Sequence, residues 1–352
     1  MRALVTGGAG FVGSHLCEEL IARRWSVEVL DDLSTGSREN LVNLEHLDTF
    51  RLVVGSAADP DVLAPMVARA DCIFHLAAAV GVRLVVEQPV RTIETNIRAT
   101  ERVLEFAAER GCGVLLASSS EVYGKGNGGV LREDADVVLG PTSKSRWSYA
   151  ASKMIDEFLA LAYARTHGLP VTVARLFNTV GPRQTGRYGM VLPRFVRQAL
   201  RGEPITVYGD GTQRRSFTWV GDAVWAMLAL TKHREASGEV FNVGQPKDVS
   251  ILELAQLVKW ITDSPSPIHC ISFQRAYEAG FEDMRVRRPD VSKLMRLTGF
   301  QPTLSLAESV RRVVEWEGAV LAREAAAGNA TGEDGNGVSS SAHPHVGAAP
   351  KA

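Results

Sequence analysis

Tyr149 and Lys153 stand four residues apart in the stretch YAASK, at the start of a segment with helical patterning. Positions four apart share a helix face, so an ammonium group can lie beside a phenol. A free phenol is a poor base at neutral pH, and a neighbouring cation favours the phenolate. Such a pair could take a proton from a hydroxyl group, although the same spacing also arises by chance in ordinary helices. A second cluster, ASSSEVYG at 117–124, follows the apolar run Gly113-Val114-Leu115-Leu116. Serines there could simply form a turn. Glu121 is harder to place: a carboxylate where a buried strand ends suits proton transfer, or it is a helix N-terminal acid or a partner for Arg146 or Arg187.

A third stretch, VTGGAGFVGSHL at 5–16, places Gly7, Gly10 and Gly13 at GxxGxxG spacing between an expected strand and an expected helix. Glycines there permit a tight turn, close approach of a pyrophosphate and close helix–strand packing, with free N–H groups at the helix N-terminus facing the phosphates. The second expected strand ends in Asp31-Asp32, within the offset of about 20 residues at which an acid accepts hydrogen bonds from ribose hydroxyls. Asp31 would repel a 2′-phosphate, so the cofactor expected is NAD rather than NADP.

The elements that must carry these residues are legible as an alternation. Short apolar runs at 3–5, 26–30, 51–54, 72–76, 113–117 and 171–176 alternate with amphipathic segments such as 12–24, 60–69 and 91–110. Strands alternating with helices imply βαβ units, hence a Rossmann-type doubly wound α/β fold with a parallel sheet. After residue 177 glycines and arginines punctuate a looser α+β region. The expected division is an NAD-binding domain over 1–177, with part of 214–242 returning to it, and a smaller substrate lobe over 178–322. The tail from 325 to 352, rich in Gly, Ala and Ser, lacks the apolar surface to offset ordering entropy and is expected to be disordered.

Composition bounds the partners. The 352 residues are 45% hydrophobic and 22% charged with a net charge of −1, so nothing global favours nucleic acid or an anionic membrane surface. No apolar stretch reaches the roughly 20 residues of a membrane span, and the N-terminus enters the glycine turn with no signal-peptide pattern. A cytoplasmic protein is expected. Cys17, Cys72, Cys112 and Cys270 are widely spaced and read as buried, reduced thiols, with no metal site.

Together these stretches make residues 1–320 resemble the extended short-chain dehydrogenase/reductase family of NAD-dependent nucleotide-sugar epimerases and dehydratases. The resemblance rests on TGGAGFVGSHL, DDLSTG, HLAA at 75–78, TN at 95–96, SSSEVYG, YAASK, RLFNTVGPR, VYGDGTQRRSF and RRPDVSKL, in family order. It implies that Tyr149 takes the proton of the sugar 4-hydroxyl, that Lys153 lowers its pKa and grips the nicotinamide ribose, and that Ser119 holds O4. It implies Gly7, Gly10, Phe11, Val12 and Gly13 at the pyrophosphate, Asp31 at the adenosine ribose, and Ala77 and Asn96 along the rest of the NAD channel. Ser120, Asn178, Arg215 and Arg288 would bind the nucleotide-diphosphate sugar. Ser56 follows Gly55 where many members have an adenine-contacting Asp, and Asp59 is a possible substitute.

The resemblance also implies a 4-keto intermediate and leaves the next step open. Ser120-Glu121 and the approach SRWSY are closest in pattern to UDP-glucuronate decarboxylases, which form UDP-xylose. A 4-epimerase and a 4,6-dehydratase are the alternatives, Glu121 being the discriminator, and a non-catalytic NAD-binding regulator is the distant one. In the family the helices matching 91–110 and 149–167 pair subunits, so a homodimer is implied.

Overall fold

In the computed structural model of the protein, which describes residues 1–79, 88–126, 128–186, 190–272 and 284–333, seven parallel strands form the main sheet. They are β1 (Arg2–Thr6), β2 (Ser26–Asp31), β3 (Phe50–Val54), β4 (Cys72–His75), β5 (Gly113–Ser119), β7 (Val171–Leu176) and β12 (Glu239–Val243), ordered β12-β7-β5-β4-β1-β2-β3. The β-branched and apolar runs form central strands because helices cover both faces: every residue of β4 and five of six in β7 are buried. Core residues divide between the faces, with Val5, Val29 and Phe74 on one and Leu4, Ile73 and Leu116 on the other. Strand order reverses between β1 and β4, so their carboxyl ends, at Gly7 and Ala77, flank the crevice in which such sheets bind ligands.

Local chemistry sets the helix ends. Asp59 caps the helix Pro60–Val67 by accepting from Asp61 N, with Pro60 at the first position. The helices Pro89–Arg110 and Trp147–His167 stop at Gly111 and Gly168, both left-handed. These two helices pack against each other on one face of the sheet.

The smaller sheet joins β6 (Val130–Leu131), β10 (Arg214–Ser216), β13 (Asp248–Ser250) and β15 (Val286–Pro289) in the order β13-β10-β15-β6. Two further parallel pairs are β8 (Thr179–Val180) with β11 (Thr218–Trp219), and β9 (Ile205–Tyr208) with β14 (Ile268–Ile271). The part of 214–242 that lies with the main sheet follows the strand Arg214–Ser216. Arg214–Ser216 belong to the smaller sheet, whereas the helix Val220–Leu230 packs on the helix Phe11–Ala22 and β12 pairs with β7.

Two further expectations change. The last helix runs Leu306–Glu333, so disorder does not begin at residue 325; Arg197 bridges that helix through Glu317 and Glu324 at 2.6 and 2.9 Å. The remainder of the tail lies outside the described residues. Cys270 is exposed, because β14 sits at the edge of a two-stranded sheet, while Cys17, Cys72 and Cys112 are buried. Among the described residues no helix is long and apolar enough to cross a membrane.

Glycine requirements separate two positions sharply. A Cβ on Gly13 would lie 2.2 Å from Gly7 O and 2.8 Å from Gly8 Cα, whereas a Cβ on Gly318 meets nothing within 4 Å. Gly13→Ala should destabilise the fold by about 1–3 kcal/mol, and Gly318→Ala, inside the last helix, should stabilise it by about 0.5–1 kcal/mol. Denaturant unfolding of the two variants measures both.

Candidate active site

β1 delivers the chain into a turn in which Gly7 has φ +73° and a Cβ would lie 2.6 Å from Ala77 N. The helix Phe11–Ala22 then begins at Gly10, which offers no side-chain cap, and its first turn holds no acid. Its N-terminal N–H groups and positive dipole end are left for an anion, as a dinucleotide pyrophosphate requires. Asp31, at the end of β2, accepts from Ala9 N at 2.9 Å and Leu33 N at 2.8 Å. Burial pushes its carboxyl above the usual range against the pull of those two N–H groups. Ribose hydroxyls would add donors to the same oxygens. These features fit NAD.

A cleft of about 460 Å³ runs from this turn across the strand ends. Gly7, Gly10, Phe11, Val12, Gly13, Asp31 and Ala77 line its dinucleotide end, with Gly55, Ser56 and Ala57 beside Asp31. Asp59 caps its helix instead of lining the cleft, so it does not replace the adenine-contacting acid. Ser119, Ser120, Glu121, Tyr149, Asn178 and Arg215 line the other end. The sequence-derived residues are thus largely brought together.

Three are not. Asn96 is buried: its Oδ1 accepts from Ala79 N at 2.8 Å and its Nδ2 donates to Ser152 Oγ at 3.0 Å. It supports the segment that lines the channel from behind. Lys153 is 2% exposed and binds Asp156 Oδ2 at 2.9 Å, away from the lining. Arg288 reaches Asp248 at 3.7 Å, and Arg287 lines the cleft in its place. The register explains the last change. β10 and β15 pair with Arg215 opposite Arg287, and cross-strand partners share a face, so the next residue points away.

Glu121 lies where these parts meet. Ser119 caps the short turn Ser120–Tyr123, accepting from Glu121 N at 3.2 Å, and also hydrogen-bonds with the Tyr149 hydroxyl. The Glu121 carboxylate accepts from Arg287 Nη1 at 2.6 Å and lies 3.4 Å from Arg146 Nη2. Burial pushes its pKa up, but Arg287, then Arg146, outweigh it and hold the group at about 2. The sequence offered Arg146 or Arg187 as its partner. Arg146 is one, Arg187 lies outside the described residues, and Arg287 was not foreseen. Tyr149 moves the other way: burial first, then the Glu121 charge, push its phenol well above the ordinary range despite the Ser119 hydrogen bond.

Asn178, just after β7, donates its amide to Ser216 O at 3.0 Å and so ties the main sheet to β10. Arg194 and Tyr208, also unforeseen, stack in the lining with the guanidinium 3.8 Å from the ring centroid. Tyr208 stands in the stretch VYGDGTQRRSF, but Arg194 carries no sequence signal, since their meeting depends on how the helix Val191–Leu200 packs against β9.

Comparison with known proteins places this geometry. The family model described as NAD dependent epimerase/dehydratase family matches residues 3–244. The chain is similar to the UDP-N-acetyl-alpha-D-glucosaminuronate decarboxylase of Bacillus cytotoxicus, 42% identical over 316 residues, covering 90% of this chain and 97% of that protein. It is 39% identical over 314 residues to UDP-glucuronic acid decarboxylase 1 of Arabidopsis thaliana, covering 89% of this chain and 69% of that one. The structure of UDP-glucuronic acid 4-epimerase from Bacillus cereus, in complex with UDP-glucuronic acid and NAD, superposes with a TM-score of 0.82 at 27% identity, covering 91% of this chain and 100% of that one. The chain belongs to the NAD-dependent epimerase/dehydratase family, and it is a nucleotide-sugar-modifying enzyme with NAD as its cofactor.

Proposed function

We propose that the protein is a UDP-glucuronate decarboxylase, forming UDP-xylose and carbon dioxide. The observation that carries this is the Glu121 carboxylate, pinned ionised between Arg287 and Arg146 at the Tyr149 end of the cleft. The decarboxylase relatives support it. Tyr149 Oη takes the proton of the sugar 4-hydroxyl while Ser119 Oγ holds that oxygen. NAD, when bound, supplies the hydride acceptor for C4. The resulting C4 carbonyl is β to the C6 carboxylate, so the C5–C6 bond breaks, carbon dioxide leaves and the electron pair moves to the C4 oxygen. Ser119 and the protonated Tyr149 donate to that oxygen as its charge develops. A proton adds at C5, and Tyr149 returns its proton to O4 when the carbonyl is reduced.

Glu121 separates this chemistry from dehydration. A 4,6-dehydratase needs a base for the C5 proton, and a carboxylate held at about 2 by two guanidinium groups is a weak one. Decarboxylation requires no base at C5. Glu121 then serves by holding Arg287 and Arg146 in place at the sugar end of the cleft. The second reading is a 4-epimerase acting on the same uronate, favoured by the contact of Glu121 with Arg146, which suits a supporting residue. Arg215 and Arg287, side by side on the smaller sheet, and Asn178 would hold the diphosphate.

We also infer a homodimer. The packed helices Pro89–Arg110 and Trp147–His167 expose Ile93, Ile155 and Phe158, the last at 64%. Phe158→Glu should shift the protein to a monomer in analytical ultracentrifugation, leaving the thermal midpoint nearly unchanged.

Mixing the protein with NAD and UDP-glucuronate, and following products by NMR, should give UDP-xylose and carbon dioxide. UDP-galacturonate alone would mean an epimerase. A 4-keto-6-deoxy sugar from UDP-glucose or GDP-mannose would mean a dehydratase, and NAD binding without turnover of any of these would mean a regulator. Tyr149→Phe should lower kcat by about 10²–10⁴-fold.

Glu121 makes a separate prediction. Its pKa is depressed in the fold, so its stabilisation is complete above pH about 4.5 and is lost as pH falls towards about 2. Glu121→Gln should therefore cost about 3 kcal/mol near neutral pH. Urea unfolding should show the gap to the unmodified protein narrowing steadily as pH falls from about 4.5 towards about 2. Full decarboxylation by that variant would remove Glu121 from the mechanism.

A further inference from the structure

The stretch RLFNTVGPR ends in Arg183, and no step proposed above uses that residue. Its backbone is left-handed, with φ +69°, a conformation that a residue with a side chain rarely adopts and that persists where surrounding contacts over-determine it. Those contacts come from the helix Phe11–Ala22. Arg183 Nη2 donates to Glu18 Oε1, Nη1 donates to Ser14 Oγ at 3.2 Å, and only 12% of the side chain is exposed. One residue earlier, Pro182 O accepts from His15 Nε2 at 3.0 Å. Ser14 in turn donates to Phe11 O at 3.0 Å, and the His15 ring meets the Phe11 ring edge-on with the centroids 5.9 Å apart. These contacts fasten residues 182 and 183 to the helix whose N-terminus faces the cleft. Ser14, His15, Glu18, Pro182 and Arg183 all lie outside the cleft lining.

The residues on either side of this anchor do line the cleft. Asn178, Thr179 and Val180 precede it, and Gln184 and Thr185 follow it. Gln184 Nε2 donates to Thr179 O at 2.8 Å and so closes the segment into a loop, while its Oε1 is buried with no hydrogen-bond partner among the described residues. We propose that Arg183 is a positioning residue for the nucleotide-diphosphate sugar: anchored on Glu18 and Ser14 behind the dinucleotide turn, it holds residues 178–185 in place against the cleft. A guanidinium suits the task, because its planar fork meets a carboxylate and a hydroxyl at once and fixes orientation as well as distance. The backbone would not rest here unaided, since a left-handed turn runs against the preference of a residue with a Cβ. Glu18 therefore acts on the ligand through Arg183 and the loop, without touching it. The groups so held meet the ligand away from its reacting carbon. Releasing them removes binding equally from the ground state and the transition state.

This role rests on the placing of the diphosphate beside Asn178 in the function proposed above, and a binding measurement tests it without turnover. The NAD-loaded protein is titrated calorimetrically with UDP, dTDP and GDP. The diphosphate that binds most tightly is then carried through Arg183→Gly, Glu18→Ala and the two combined. Glycine accepts the left-handed turn, so Arg183→Gly removes the anchor without adding strain. Glu18→Ala changes a half-buried helix position to a strong helix former and keeps the test available if Arg183→Gly does not fold. Each single variant should weaken the diphosphate about tenfold, and the double variant no more than about twofold beyond the larger single effect, because both remove one link. With UDP-glucuronate the same factor should appear in KM, with kcat held within about threefold. A fall in kcat or in thermal midpoint at unchanged affinity would mean that Arg183 serves stability alone, and overturns the proposal. An unchanged diphosphate affinity in Glu18→Ala, single effects that multiply in the double variant, or binding of none of the three diphosphates overturns it as well. Failure of the unmodified protein to turn over UDP-glucuronate would sink the decarboxylase and leave the binding comparison to decide the role of Arg183.

Discussion

The bridge from Glu121 to Arg287 and Arg146 holds the two halves of the molecule in a working relation. Glu121 follows β5 of the main sheet, Arg287 lies on β15 of the smaller sheet, and Arg146 immediately precedes the helix that carries Tyr149. Removing such charges from water is expensive, and the cost is met only when partners and geometry are both supplied. The smaller sheet must therefore close onto the end of β5 for the bridge to form, and in closing it sets Arg215 beside Arg287 in the lining. Asn178 strengthens the same seam from the end of β7. One electrostatic requirement thereby fixes the position of the sugar end of the cleft relative to the dinucleotide end.

Two patterns in the sequence were strong because they are local. Strand identity followed from β-branched runs, which form central strands wherever helices cover both faces, and the glycine turn followed from spacing alone. Tyr149 and Ser119 were legible for the same reason, each lying at the start or end of a regular element. Arg287 was missed by one position, since RRP gives two adjacent guanidiniums and only the pairing with β10 decides which faces inward. Asn96 was assigned to the channel because its motif adjoins it, yet its amide is consumed by Ala79 and Ser152, partners far away in sequence. The last helix outran the expectation for the tail because Ala-rich composition is as good for a helix as it is poor for a core.

The two ionisable centres of the site diverge for one physical reason. Burial destabilises charge on both Glu121 and Tyr149, but only Glu121 receives two guanidinium partners. It remains ionised, and its charge adds to the burial that raises the neighbouring phenol. Environments that push neighbouring groups apart are how a site assigns one to fixed charge and the other to proton transfer.

A chain with a net charge of only −1 can still bind polyanions, because charge is arranged locally. At the sugar end Arg146, Arg215 and Arg287 face one carboxylate, leaving an excess of positive charge in a recess of low dielectric. At the dinucleotide end the positive element is the uncapped N-terminus of the helix Phe11–Ala22, and the acids Asp31 and Asp32 stand at the far side of the turn. A diphosphate is attracted at both ends, while an anion seated next to Glu121 is not stabilised to the same degree.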